Sequence, residues 1–125
     1  MFTSDAPLGV NKLLLIGWDA ADWTFIDPLL AQGKLPHLAC ILKNGTRADL
    51  ATLDPKLSPL LWTTIATGKT ADKHGILNFV EADPTANQAN ASGLRLASST
   101  SRRTKALWNI LTQQGKRVNV VSWYA

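Results

Sequence analysis

The run Lys12-Leu13-Leu14-Leu15-Ile16-Gly17-Trp18-Asp19 decides the fold. Four consecutive apolar side chains closed by Gly-Trp-Asp leave no polar face, and a strand covered on both sides by helices reads in this way. It is expected as the central strand of a parallel sheet. Outward from it, Asp27-Pro28 supplies a capping carboxylate and a proline at the first helical position, and Gly33 ends a short helix. Leu35-Pro36 opens a second helix carrying Leu38, Ile41 and Leu42 at helical spacing, closed by Asn44-Gly45. Thr46 to Leu53 alternates as a strand. Ser58-Pro59 opens a third helix through Trp62, Ile65 and Ala66, ended by Gly68.

After His74-Gly75, Ile76 to Val80 is a further candidate strand. Residues 83–101 are rich in Asn, Ala, Ser and Thr without a clear period, and read as a surface loop or insertion. Thr104 to Gln114 resumes helical spacing with Ala106, Leu107, Ile110 and Leu111, and Gly115 stops it. Arg117 to Trp123 is again apolar, with β-branched Val118, Val120 and Val121. Strands alternating with helices predict an α/β fold, a mostly parallel sheet with helices on both faces. Residues 1–11 read as an N-terminal extension, and 12–125 as the N-terminal portion of a larger domain. The chain stops just after a predicted strand, where open α/β sheets build their sites.

The 125 residues are 46% apolar and 18% charged, which excludes disorder, collagen and coiled coil. That length buries about two-thirds of the unfolded chain's surface, enough for one core and not for two. The net charge of +4 is scattered, and Arg102, Arg103, Lys105, Lys116 and Arg117 read as solvated helix and turn positions. A nucleic-acid polymer is therefore not an expected partner. Cys40 is the only cysteine, so neither an intrachain disulfide nor a cysteine zinc cluster can form. Its place in an apolar helical run predicts a buried, inert thiol. Leu13 to Gly17 is too short for a signal-peptide core or a membrane span, and a cytoplasmic location is expected.

Two residues stand out chemically. Asp19 ends a run with no other polar side chain, so its carboxylate needs a metal, a cation or backbone donors, unless it is simply exposed. Ser58 precedes Pro59 and is expected as a helix N-cap, with backbone donors from Leu60 and Leu61 pointing back to it. The plain reading of Ser58 is a capping hydroxyl. The functional reading is an oxygen nucleophile at a helix N-terminus, where phosphate binds and negative charge is stabilised.

Leu-Leu-Ile-Gly-Trp-Asp-Ala-Ala-Asp at residues 14–22, Leu-Ser-Pro-Leu-Leu-Trp-Thr-Thr-Ile-Ala-Thr-Gly at 57–68 and Lys73-His74-Gly75-Ile76 together resemble the alkaline phosphatase superfamily. Within it the similarity is to the type I phosphodiesterase and nucleotide pyrophosphatase branch. The resemblance implies an alkaline phosphatase-like fold and a site with two divalent metal ions, zinc first, with manganese or magnesium as alternatives. It makes Asp19 a metal ligand. Ser58, nine residues before the Thr67 of the Thr-Gly pair, becomes both nucleophile and metal contact. Thr63 and Thr64 lie inside the helix and rank behind it.

The sequence also departs from that pattern. The branch often carries an asparagine shortly after the nucleophile to hold phosphoryl oxygens, and Leu61 stands there; Lys69 is a speculative substitute. A sulfatase is disfavoured because Ser58-Pro59 lacks the arginine of that branch. The resemblance requires further Asp and His ligands from outside this chain. Only His37 and His74 are present, the first read as a surface residue and the second as part of a structural turn. Asp22 reads as a helix cap. The tryptophans read as core bulk, and Asn44 and Asn90 match the glycosylation pattern without a secretion signal.

The expected function is a metal-dependent phosphohydrolase acting through a serine nucleophile on a small phosphate ester, most of whose metal site lies outside this chain. The alternatives are a non-catalytic α/β fragment or interaction module, and a phosphomutase or phosphotransferase relative. A flavodoxin-like nucleotide binder is weaker because no glycine-rich phosphate loop follows Asp19.

Overall fold

The structure is a computed structural model and describes residues 12–86 and 93–124. The expected extension at 1–11, Asn90 and part of the 83–101 segment lie outside the described residues. The chain divides into two compact units, Met1–Ala48 and Asp49–Ala125.

The first unit holds α1 (Trp23–Ala31) and α2 (Pro36–Asn44), which pack on each other. Asp22 starts α1 as expected of a cap, its carboxylate accepting from the Thr24 N–H at 2.7 Å. That hydrogen bond favours the ionised carboxylate and holds its pKa below the ordinary range. The helix therefore begins before Asp27-Pro28, and Pro28 lies inside it. Pro28 is the sixth helical residue, so it removes the ladder N–H that would donate to the Thr24 carbonyl, and the helix ends within a turn of it at Ala31. Asp27 instead faces Arg47, whose guanidinium donates to both carboxylate oxygens at 2.7 and 2.9 Å and lies 3.9 Å from the Trp23 ring centroid. Pro36 opens α2 and Gly45 caps it, as the sequence predicts.

The second unit holds α3 (Ser58–Thr67), α4 (Ala71–His74), β1 (Val80–Ala82), β2 (Leu94–Leu96) and α5 (Leu107–Gln113). Its buried set is Pro59, Leu60, Ala66, Ile76 and Ala106 with Thr63, Thr67 and His74. β1 and β2 pair antiparallel with Val80 opposite Leu96, Glu81 opposite Arg95 and Ala82 opposite Leu94. Trp123 stands edge-on to Trp62 at 5.1 Å and near Trp108 at 5.8 Å, and its Nε1–H donates to the Trp62 carbonyl at 3.3 Å.

Both α1 and α5 end in the same double hydrogen bond. Gly33 N–H donates to Leu30 O and Lys34 N–H to Leu29 O; Gly115 N–H donates to Thr112 O and Lys116 N–H to Leu111 O. Gly33 at φ +68° and Gly115 at φ +71° supply the left-handed residue this closure requires.

The expected mostly parallel sheet is not present among the described residues. Residues 12–18, 46–53 and 116–121 carry no strand pairing, and the sheet that forms is the two-stranded antiparallel one. Leu14 is 82% exposed and Val121 85%. An apolar run specifies that a segment be covered, but a parallel ladder also needs a neighbouring strand brought back by a crossover connection. The segment read as a loop at 83–101 supplies β2, because Leu94-Arg95-Leu96 returns beside Val80-Glu81-Ala82. Cys40 is exposed rather than buried, since no described residue of the first unit is fully buried. Trp18 is likewise 61% exposed rather than core. No helix of the described residues is long and apolar enough to cross a membrane.

Candidate active site

Ser58 is half-buried in the first turn of α3. Leu57 is extended, its N–H donates to Pro55 O at 2.8 Å, and its own carbonyl accepts from Leu61 N–H at 3.0 Å. The helix ladder thus begins at Leu57, which is the N-cap. Ser58 is the first helical residue and not the cap expected of it, and the Leu61 N–H is spent inside the helix. Pro59 at the second position costs the helix no bond, because first-turn N–H groups precede the ladder. The hydroxyl of Ser58 therefore sits at the positive end of the α3 dipole.

Asp19 lies exposed in the turn that ends the Leu13–Trp18 run. The next residue, Ala20, has φ +56°, and Ser122, just beyond the Val118–Val121 run, has φ +50°. A left-handed conformation in a residue with a β-carbon costs on the order of 1–2 kcal/mol. Both apolar runs thus exit through a strained residue, the kind of backbone that concentrates at functional sites.

The two threonines ranked behind Ser58 have other surroundings. Thr63 is fully buried on the packed side of α3, and its Oγ1 has no hydrogen-bond partner among the described residues. Thr64 Oγ1 lies 3.0 Å from His74 Nε2. His74 is fully buried, and its Nδ1 accepts from the Ile76 N–H at 3.1 Å. Burial pushes the acidity of its imidazolium up, lowering the pKa from 6.5, with Asp72 opposing weakly. The ring is therefore neutral with its proton on Nε2, and it donates to Thr64 instead of withdrawing a proton from it. This pair locks α4 against α3. Sequence reasoning assigned His74 to a structural turn and missed its partner, although the Gly68 stop between them signals that the chain doubles back.

Lys69 follows Gly68 at the far end of α3 from Ser58. Ten helical residues span about 15 Å, so Lys69 and Ser58 do not meet on one phosphate group. Arg102 was expected to be solvated. Its Nε donates to Thr104 O at 3.0 Å, its Nη2 to Asn109 Oδ1 at 3.3 Å, and it lies 5.4 Å from the Trp108 ring centroid. Asn109 Oδ1 also accepts from the Ala106 N–H at 3.0 Å and so closes the start of α5. The asparagine three residues into a helix was the available signal.

The family model for type I phosphodiesterase / nucleotide pyrophosphatase matches residues 13–125. The chain belongs to that family. No curated protein and no solved structure matches it. Family members are phosphodiesterase- and pyrophosphatase-like hydrolases and are typically metal-dependent. Asp19 has the right donor chemistry for a divalent ion. Among the described residues, however, no three His, Cys, Asp or Glu side chains come together as a ligand set. These residues do not by themselves fit a metal pair.

Proposed function

We propose that the chain carries the nucleophile of a phosphoric ester hydrolase, with Ser58 as the attacking residue. Ser58 Oγ forms a bond to phosphorus while the bond from phosphorus to the ester alcohol breaks, and the hydroxyl proton leaves with that alcohol. Water then forms a new bond to phosphorus, Ser58 Oγ departs and regains a proton. The α3 dipole favours both the ionised hydroxyl and the anionic phosphoryl group. The carrying observation is the place of Ser58 in the first turn of α3, in a chain of this family. Asp19 is the carboxylate we assign to a divalent metal, zinc first.

The test is hydrolysis of a bis-aryl phosphodiester, with mass spectrometry to trap the phosphorylated serine. Ser58→Ala is expected to lower the rate at least about 1000-fold and abolish the adduct. Thr64→Val is expected to keep both. An adduct that survives in Ser58→Ala overturns the assignment.

The exposure of Leu14, Leu50 and Val121, each above four-fifths, supports a second reading as an interaction module whose apolar segments associate. Light scattering distinguishes it: that reading expects a concentration-dependent rise in mass without turnover.

A further inference from the structure

Among the described residues, every helix but one is closed by a backbone hydrogen bond from the residue that follows it. Gln32 after α1, Gly68 after α3, Gly75 after α4 and Gln114 after α5 each donate an N–H to a carbonyl of the helix they leave. Gly45 after α2 does not. It leaves in an extended conformation, φ −121° and ψ −167°, and its N–H has no hydrogen-bond acceptor among the described residues. A side chain holds the end of α2 instead: Asn44 Nδ2 donates to the Cys40 carbonyl at 2.9 Å.

Asn44 is exposed, and Asn44-Gly45 is the only Asn-Gly pair in the sequence. That pair sets an electrophile beside a nucleophile. A bond from the Gly45 nitrogen to Asn44 Cγ closes a five-membered ring, and glycine puts no β-carbon in the way of the closure. An N–H spent on a carbonyl is withheld from base, whereas the Gly45 N–H is not. Every other asparagine precedes a residue with a side chain. Asn109 is moreover fixed inside α5, its Oδ1 accepting from the Ala106 N–H at 3.0 Å and from Arg102 Nη2 at 3.3 Å. The fold also favours the glycine, because a β-carbon at Gly45 would meet Ile41 O at 3.0 Å. Against the closure stands the Asn44 hydrogen bond to Cys40 O, at an exposed helix end where the last turn opens readily.

We propose that Asn44 is a site of spontaneous covalent modification that loosens the end of α2 with time. Gly45 N forms a bond to Asn44 Cγ, the Cγ–Nδ2 bond breaks, and Nδ2 leaves as ammonia together with the Gly45 proton. Water then adds to either carbonyl of the cyclic imide and opens it, to aspartate or to isoaspartate. Both products put an acceptor where Cys40 O had a donor, and both set a negative charge at the negative end of the α2 dipole. Isoaspartate also lengthens the main chain by one carbon before Gly45. The last turn of α2 then frays, in a unit with no fully buried described residue to hold it.

The test is ageing of the folded chain in mildly alkaline buffer, followed by peptide mapping with mass spectrometry and by enzymatic methylation of isoaspartate. Conversion of amide to acid is expected at Asn44 at least about tenfold faster than at Asn109, where the next residue carries a β-branched side chain. The rate should rise with pH. Gly45→Ala should slow it at least about tenfold by crowding the nitrogen. Asn44→Gln, which leaves Gly45 and its packing untouched and would need a six-membered ring, should stay intact. Amides in the last turn of α2 should exchange hydrogen at least about threefold faster in the aged chain and in Asn44→Asp than in the fresh parent, with α5 unchanged. An intact Asn44, equal rates at Asn44 and Asn109, or a rate indifferent to both variants overturns the site. Modification that leaves exchange in α2 unchanged overturns the loosening.

Discussion

In the second unit α3 buries Pro59, Leu60, Thr63, Ala66 and Thr67, whereas α1 and α2 of the first unit bury no residue fully. The helices are nearly equal in length, so the difference lies in what holds them. The second unit is held by apolar burial around Ile76 and Ala106 and by a neutral histidine clamped between a backbone N–H and a threonine. The first is held at its surface, by the Asp22 cap and by a two-pronged Arg47–Asp27 pair with the guanidinium over Trp23. Buried contacts are costly to lose and indifferent to salt, while surface clamps are cheap to lose and screened by it.

The sharpest way to break this contrast is truncation. Ile76→Ala, at a site 2% exposed, should lower unfolding stability by about 2–5 kcal/mol in urea. The half-buried Leu38→Ala in α2 should lose less than about 1.5 kcal/mol. Equal losses would mean that the first unit has a core of its own.

The next test is pH. The pKa of His74 is depressed in the folded chain, so the unfolded chain binds the extra proton. The stability this group contributes is complete above its ordinary value of 6.5. It is lost as pH falls below that value, by at most about 1.4 kcal/mol per pH unit. Urea midpoints of parent and His74→Gln measured from about pH 7.5 to about pH 5 should converge at the acid end. A parent midpoint with the same slope as the variant removes the buried histidine from the account.

Thr63→Val should raise stability by about 1 kcal/mol, because it replaces a buried hydroxyl without a partner by a methyl of the same shape. A loss would show that the hydroxyl is satisfied. The smallest effect belongs to the first unit: Arg47→Ala should cost roughly 1 kcal/mol, and the loss should shrink at high salt. An undiminished loss at high salt would assign the contribution of Arg47 to its contact with Trp23.

The punctuation of the helices was legible because it is local. Pro36, Gly33, Gly68 and Gly115 each act through their own backbone angles or a missing N–H, and each lies where the sequence puts it. Asp27-Pro28 misled because Asp22 offered the earlier cap, and α1 runs on through Pro28 in spite of the ladder bond the proline removes. Strand pairing was not legible, since Leu13 to Ile16 encodes a need for cover and carries no information on which segment supplies it. The return of β2 escaped notice for the opposite reason. Leu94-Arg95-Leu96 is too short to show a period, and its pairing is accompanied by hydrogen bonds from Arg95 Nε and Ser101 Oγ to Glu81 Oε1. Of the candidate site, the position of Ser58 in α3 was readable from Ser-Pro and the Thr-Gly stop. The Thr64–His74 lock and the edge-on packing of Trp123 against Trp62 were not, as both join residues that only the folded chain brings together.

The three indoles of Trp62, Trp123 and Trp108, at centroid separations of 5.1 and 5.8 Å, amount to one coupled chromophore. Excitation absorbed by any of them is shared before it is emitted, so their fluorescence leaves depolarised however slowly the molecule tumbles. Their fixed mutual tilt also splits the far-ultraviolet circular dichroism of the indoles into a couplet. Trp23, lying beneath a cationic guanidinium, emits in a different electric field. The chain thus carries separate optical reporters for its two units, and their melting can be followed one against the other without attaching a dye.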